Sequence, residues 1–250
     1  MTHYTIAIPA RMASTRLPGK MLKSLGGKPV IQHVIERVKQ VRTCNEICVV
    51  TDSQDIVNLA ENLDVKGFIT SHECRSGTER IVSVLDKMYG DWIFNVQGDE
   101  PFVEPALLEA LIEKTKSIDA DILTPVYPLK SIEDINNPNI VKVVLNNEKE
   151  ALYFSRSPIP YARDVAPENW LNKSNYWGHL GIYGYRREIL ENYHSLDRSY
   201  LETTESLEQL KFLSNGYTIA TYEASGRSVA IDTQEDLIKA EAVLKRGYER

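Results

Sequence analysis

The first hundred residues alternate between short β-branched runs and stretches with helical apolar spacing. Runs at residues 5–8, 46–51, 67–69 and 92–96 read as strands. Between them Ile31, Val34, Ile35, Val38 and Val41 recur at the spacing of one helix face. The same holds for Ile56, Val57, Ala60 and Leu63, and then for Ile81, Val84, Leu85 and Met88. Three βα units in succession predict an α/β fold with a doubly wound, mostly parallel sheet. After Gly98 the rhythm changes. A helical pattern at 105–117 gives way to strand-like runs at 121–127, 140–145, 151–154 and 180–185, which predict an inserted, mainly antiparallel layer. Pro-rich loops at 157–161 and 164–169 separate these pieces, and helical patterns at 200–215 and 233–248 flank a strand at 217–223. The pattern predicts one α/β domain over 1–250, carrying an excursion at about 120–190, rather than two independent domains.

Composition narrows the partners. A chain of 250 residues is long enough to bury a substantial core. Its net charge of −6 argues against a general nucleic-acid or membrane-surface binder, so any polyanion it binds should be small. No run approaches the ~20 apolar residues of a membrane span, and the N-terminus lacks a basic-then-apolar export signal, so a cytoplasmic location is expected. Cys44, Cys48 and Cys74 suit neither a disulfide framework nor a four-ligand zinc site and read as reduced packing residues.

Against this acidic background one segment stands out. Ile8-Pro9-Ala10-Arg11-Met12-Ala13-Ser14-Thr15-Arg16-Leu17-Pro18-Gly19-Lys20 follows the first predicted strand and concentrates three cations in one loop. Open α/β sheets bind phosphorylated ligands at such strand ends. Arg11, Arg16 and Lys20 can clamp a triphosphate, with backbone N–H groups near Gly19 lining it. The spacing is not that of the G-x-x-x-x-G-K-[ST] phosphate loop, which argues against that NTPase fold.

Other segments are open to two readings each. Asp99, in Gln97-Gly98-Asp99-Glu100-Pro101, lies after the fourth predicted strand and is either a ligand for Mg²⁺ or part of a turn. Asp232 is either its carboxylate partner or the N-cap of the last helix, with Glu235 at the capping-box position. Ser76-Gly77-Thr78-Glu79-Arg80 opens a predicted helix, as a nucleotide contact or simply as a cap. Arg156 is a carboxylate clamp or a surface ion pair, and His179 a ligand contact or a structural histidine. Glu205, Glu208 and Gln209 share one face of the predicted 200–215 helix, which binds hydroxyls or meets solvent.

Taken together, these segments resemble the 3-deoxy-manno-octulosonate (Kdo) cytidylyltransferases, which activate an eight-carbon sugar acid for lipopolysaccharide assembly. The resemblance runs through the opening loop, Ser76-Gly77-Thr78, Asn95 to Pro101, Ala151 to Pro160, His179-Leu180-Gly181-Ile182-Tyr183, Glu205 to Leu210 and Asp232 to Leu237. It implies a nucleotide-diphospho-sugar transferase type of fold and a homodimer joined through the inserted layer. It also implies CTP in the first loop and Mg²⁺ between Asp99 and Asp232. Arg11 and Lys20 would face the triphosphate, with Ala10, Arg16, Ser76, Arg80 and Gln97 near the nucleotide. Arg156, His179, Tyr183, Glu208 and Gln209 would lie near the sugar acid. The anomeric hydroxyl would attack the α-phosphorus and expel pyrophosphate, with no obvious general base.

Three positions depart from that family's usual pattern: Phe102-Val103-Glu104-Pro105, Gly178 where a basic residue is usual, and Ala230-Ile231. An added anion at Glu104 and a lost cation at Gly178 suit an amino-substituted acceptor such as 8-amino-3,8-dideoxy-manno-octulosonate. Family drift is the alternative. A sialic-acid-type or sugar-1-phosphate nucleotidylyltransferase, or a non-catalytic nucleotide sensor, are the competing functions. A sensor would be expected to lack a metal carboxylate or a phosphate cation, and Asp99, Asp232, Arg11 and Lys20 are all present.

Overall fold

The computed structural model describes residues 2–226 and 229–248. The chain divides into two compact units, one from residues 1–113, 184–191 and 228–250, the other from residues 114–183 and 192–227.

The first unit begins with β1 (Tyr4–Ala10), α1 (Val30–Val38), β2 (Glu46–Thr51), α2 (Gln54–Asn62), β3 (Lys66–Ile69), α3 (Gly77–Val82), β4 (Trp92–Asn95) and α4 (Pro105–Lys114). β1 pairs in parallel with β2 and β4, and β2 with β3, giving the order β3-β2-β1-β4. Every residue of β1 is buried. A central parallel strand covered on both faces reads as a continuous apolar run rather than an alternation. Of the predicted stripes, Ile31, Val34, Ile35 and Val38 are buried on α1, joined by Val30, and Ile56, Val57 and Ala60 are buried on α2, while Val41 and Leu63 lie just beyond the two helices. The third predicted helix is shorter than its periodicity suggests, because α3 ends at Val82 and a 3₁₀ turn, Leu85–Lys87, follows.

The second unit holds β5 (Ile122–Pro128), α5 (Ile132–Asn136), β6 (Lys142–Leu145), β7 (Ala151–Ser155), α6 (Trp170–Lys173) and β8 (Trp177–His179). These strands form an antiparallel layer in the order β5-β8-β6-β7. The run expected as one strand at 180–185 is broken. β8 ends at His179, a tight turn closes with the Ile182 N–H donating to the Leu180 carbonyl at 2.8 Å, and β9 (Tyr183–Arg186) follows. From Gly184 onward β9 and α7 (Arg187–Glu191) belong to the first unit, where Gly184 packs against Phe94 of β4. The Thr124 hydroxyl pins this turn by donating to the Ile182 carbonyl at 2.7 Å.

The helix expected over 200–215 is also two helices, α8 (Tyr200–Glu205) and α9 (Gln209–Ser214). Ser206 between them is left-handed at φ 52°, ψ 51°, which ends one helix and re-aims the next. Glu205 therefore does not share a helix face with Glu208 and Gln209. β10 (Ile219–Glu223) adds to β5 in parallel, and α10 (Gln234–Tyr248) returns to the first unit. There Leu237 and Ala240 pack with Leu17, Leu25, Val30 and Ile231, so the opening loop is anchored through Leu17.

Candidate active site

The opening loop leaves the C-terminal end of β1 and doubles back at Leu17-Pro18-Gly19-Lys20, where the Lys20 N–H donates to the Leu17 carbonyl at 3.2 Å. Gly19 has φ 65°, the left-handed conformation that glycine adopts without strain. This turn carries the Lys20 side chain inward, leaving Lys20 only 5% exposed. Asp99 arrives on the loop after β4. Gly98 passes so close to β1 that a Cβ there would lie 3.0 Å from the Pro9 carbonyl oxygen and 2.8 Å from Ile31 Cδ1. The Ile231 N–H then donates to the Asp99 carbonyl at 2.9 Å, which brings Asp232 alongside.

These loops line a cavity of about 180 Å³ whose wall includes Ala10, Arg11, Lys20, Ser76, Arg80, Gln97, Asp99 and Asp232. Residues far apart in sequence meet there. Lys20 Nζ donates to Asp99 Oδ2 and, at 2.9 Å, to Asp232 Oδ1. Arg16 pairs with Asp232 Oδ2 at 3.2 Å. Burial by itself would lower the Lys20 pKa, but the charges and hydrogen bonds of Asp99 and Asp232 outweigh it and hold the ammonium above its ordinary value.

Asp232 is not a helix cap. Thr233 takes that place: its hydroxyl accepts the Asp236 N–H at 3.2 Å, and Asp236 Oδ2 accepts the Thr233 N–H at 2.9 Å. This reciprocal box lies one residue later than the sequence suggested, with Asp236 rather than Glu235 in it, and it leaves the Asp232 carboxylate for the cavity.

Ser76 caps α3 by accepting the Glu79 N–H at 3.0 Å. Arg80 lines the cavity yet is 2% exposed and largely committed. Its guanidinium donates to the Thr70 hydroxyl, to the Ser71 carbonyl at 3.1 Å and to Asp52 Oδ2 at 3.3 Å. Asp52, which sequence reasoning missed, also accepts the Met12 N–H at 3.0 Å through Oδ1. It therefore ties the opening loop to α3, and its place just after β2 was the available signal. Gln97 donates to Asn95 Oδ1 at 2.8 Å. Arg75 and Cys74 line the cavity as well and were also missed. Arg11 and Arg75 form no ion pair among the described residues.

Asp99 and Asp232 present hard oxygen donors that converge on one ammonium. A pair of that kind fits Mg²⁺, which takes one or two carboxylates and fills its remaining positions with water and phosphate.

The residues expected near a sugar acid lie in the second unit, except Glu104. His179 Nε2 is 3.0 Å from the Thr124 hydroxyl, whose own proton goes to the Ile182 carbonyl, so Nε2 carries the hydrogen. The half-buried ring packs against Phe154 and Tyr183, and burial lowers its pKa to about 3, which keeps the imidazole neutral. Burial, reinforced by Glu208, pushes the Tyr183 phenol well up. Glu208 accepts from the Tyr193 hydroxyl at 2.9 Å. Gln209 is 5% exposed, and its Nε2 has no hydrogen-bond partner among the described residues.

Arg156 forms no ion pair among the described residues and directs its guanidinium to backbone carbonyls. It donates to the carbonyls of Glu205 at 2.8 Å, Pro138 at 3.0 Å and Ser206 at 3.3 Å. The Glu205 carboxylate accepts from the Ser155 hydroxyl at 2.6 Å and the Arg156 N–H at 2.9 Å. Lys142, also missed, is fully buried and donates to the carbonyls of Asn137, Ile140 and Arg156 at 2.5–2.9 Å.

Two of the departures have the following surroundings. Glu104 belongs to the first unit, and its carboxylate is 70% exposed and 4.0 Å from Arg37. Gly178 precedes His179 on β8, so a side chain there would point to the opposite face. A Cβ at Gly178 would meet Tyr127 Cζ at 2.6 Å and Leu129 at 2.8 Å.

Residues 5–222 match the cytidylyltransferase family. A 3-deoxy-manno-octulosonate cytidylyltransferase of Phocaeicola vulgatus is 43% identical over 244 residues, covering 96% of each chain. That of Escherichia coli is 40% identical, covering 98% of this chain and 97% of its own. A solved CMP:2-keto-3-deoxy-manno-octonic acid synthetase complexed with CTP superposes with a TM-score of 0.91 at 39% identity, over 98% of this chain and all of that one. A 4-diphosphocytidyl-2C-methyl-D-erythritol synthase from Anaerococcus prevotii, 16% identical with a TM-score of 0.64 over 98% and 99% of the two chains, shares the fold. The chain belongs to the cytidylyltransferase family and, within it, groups with the 3-deoxy-manno-octulosonate cytidylyltransferases.

Proposed function

We propose that this protein transfers CMP from CTP to the anomeric hydroxyl of 3-deoxy-manno-octulosonate and releases pyrophosphate. The observation that carries the reading is the cavity in which opening-loop cations meet Asp99 and Asp232, in a chain whose full-length relatives carry this activity in their names. In the reaction the anomeric oxygen forms a bond to the α-phosphorus as the bond from that phosphorus to the bridging oxygen breaks. The hydroxyl proton leaves to solvent, and the electron pair leaves on pyrophosphate.

Such a step asks the protein for positioning and for neutralisation of charge on the leaving group. Arg11, Arg16 and Lys20 supply the positive charge, and Gln97 and the Ser76 loop line the nucleotide's place. Asp99 and Asp232 would hold Mg²⁺, which polarises phosphoryl oxygens and lowers the pKa of a bound hydroxyl. Gln209 supports acceptor binding in the second unit. A buried amide N–H without an acceptor costs about 1–3 kcal/mol, which a carboxylate or hydroxyl oxygen of the sugar acid would recover. His179, neutral and fixed by Thr124, offers an uncharged ring wall beside Tyr183.

The protein is further read as a homodimer through the antiparallel layer, since β7 ends that layer's strand order and carries the exposed Leu152. Pyrophosphate release from CTP, measured with and without Mg²⁺ over a panel of nucleotides and sugar acids, tests the whole reading. Release that requires CTP and Kdo supports it. Release only with a sialic acid or with a sugar 1-phosphate overturns it, and a clear preference for the 8-amino analogue would replace Kdo as acceptor.

A further inference from the structure

The charges around the cavity balance in an informative way. Asp99 and Asp232 contribute two negative charges, and Lys20 and Arg16 are in contact with them as two positive ones. Arg11 and Arg75 face the same cavity without ion pairs among the described residues. A nucleoside triphosphate, its terminal phosphate largely ionised near pH 7, brings roughly four negative charges. The two unpaired arginines match only half of that.

If a dication took over the two carboxylates, Lys20 and Arg16 would be released, and with Arg11 and Arg75 they would present four positive charges to the triphosphate. Both side chains are suited to the exchange. The Lys20 ammonium stands on a flexible four-carbon stem, and Arg16 is 61% exposed at the loop surface. Leaving two carboxylates close together with no cation would be costly, and Lys20 removes that cost while the site waits for its substrate.

We propose that Lys20 and Arg16 are resident counter-ions of the Asp99–Asp232 pair, which suppress divalent-cation binding until CTP arrives and then transfer to the triphosphate. This rests on the assignment of that pair as the metal site in the reading above. It makes metal and nucleotide binding mutually dependent: the metal needs the triphosphate to draw the cations away, and the triphosphate needs the metal to set them free.

Mn²⁺ binding, followed by electron paramagnetic resonance without nucleotide, tests the proposal independently of turnover. The wild type should bind Mn²⁺ weakly. Lys20→Gln should bind it at least about tenfold more tightly, because the competing cation is gone, and Arg16→Gln should shift in the same direction by less. Adding Asp99→Asn to Lys20→Gln should abolish the gain. Equal or weaker Mn²⁺ binding by both single variants, each checked by circular dichroism, overturns the proposal. Should Lys20→Gln not fold, Arg16→Gln decides alone, an unchanged Mn²⁺ affinity overturning the proposal. A gain that survives Asp99→Asn overturns the metal assignment beneath it. Wild-type pyrophosphate release from CTP and Kdo, assayed in parallel, separates these failures from failure of the cytidylyl-transfer reading.

Discussion

Single side chains in this protein divide into those poised for ligands and those committed to the scaffold, and the division does not follow their charge. Arg80 and Arg156 both read as ligand contacts, yet each spends most of its donors on the protein itself. Asp52 shows what that commitment does, since one carboxylate serves both Arg80 and the Met12 N–H. Asp52→Ala should lower stability by about 3–5 kcal/mol, the cost of stranding a buried guanidinium. It should also raise the KM for CTP more than it lowers kcat, as steady-state kinetics beside urea unfolding would show. His179 makes a pH prediction. Its folded pKa, about 3, lies below the unfolded value near 6.5, so its stabilising effect is complete above pH 6.5 and is lost progressively as pH falls toward 3. Urea unfolding at pH 7 and pH 5 should show the wild type losing more stability than His179→Gln; equal losses would refute an imidazole held neutral in the fold.

Local breaks in the elements matter as much as the elements. Ser206 turns one expected helix into two and sends Glu205 to the end of β7 and Glu208 to Tyr193. A left-handed residue with a Cβ is strained by about 1–2 kcal/mol. Ser206→Gly should therefore keep activity at unchanged or slightly higher stability. Ser206→Val, β-branched in that conformation, should destabilise and raise the KM for the sugar acid while CTP affinity, measured by calorimetry, stays the same. The Thr233–Asp236 box is separable from chemistry too. Thr233→Ala should cost about 1 kcal/mol in thermal unfolding through α10. The helix expected over 200–215 had good apolar periodicity, and nothing local announced its break, because the carbonyls of Glu205 and Ser206 find their partner in Arg156, 49 and 50 residues away.

For the molecule as a whole, the proposed dimer predicts that light scattering reports twice the 28.4 kDa chain mass, and that Leu152→Glu on the edge strand shifts it toward the monomer. Among the described residues no helix is long and apolar enough to cross a membrane. Much of the architecture was legible in the chain. Continuous apolar runs marked the buried parallel strands β1 and β4, helical spacing marked α1 and α2, and the Gly19 and Gly98 turns marked the two loops that build the cavity. These are local signals, set by backbone propensity and by which face is buried. The sequence also determined which chemistry was on hand, a cationic loop and two carboxylates at strand ends, and so the family. Tertiary structure alone decided the pairings. Lys20 and Asp232 are 212 residues apart, and only folding brings Nζ within 2.9 Å of that carboxylate. It likewise faced Gly178 away from His179, enclosed Lys142 among three carbonyls and left Gln209 Nε2 without a hydrogen-bond partner among the described residues, because burial and long-range hydrogen bonding depend on neighbours that the chain supplies only once it is folded.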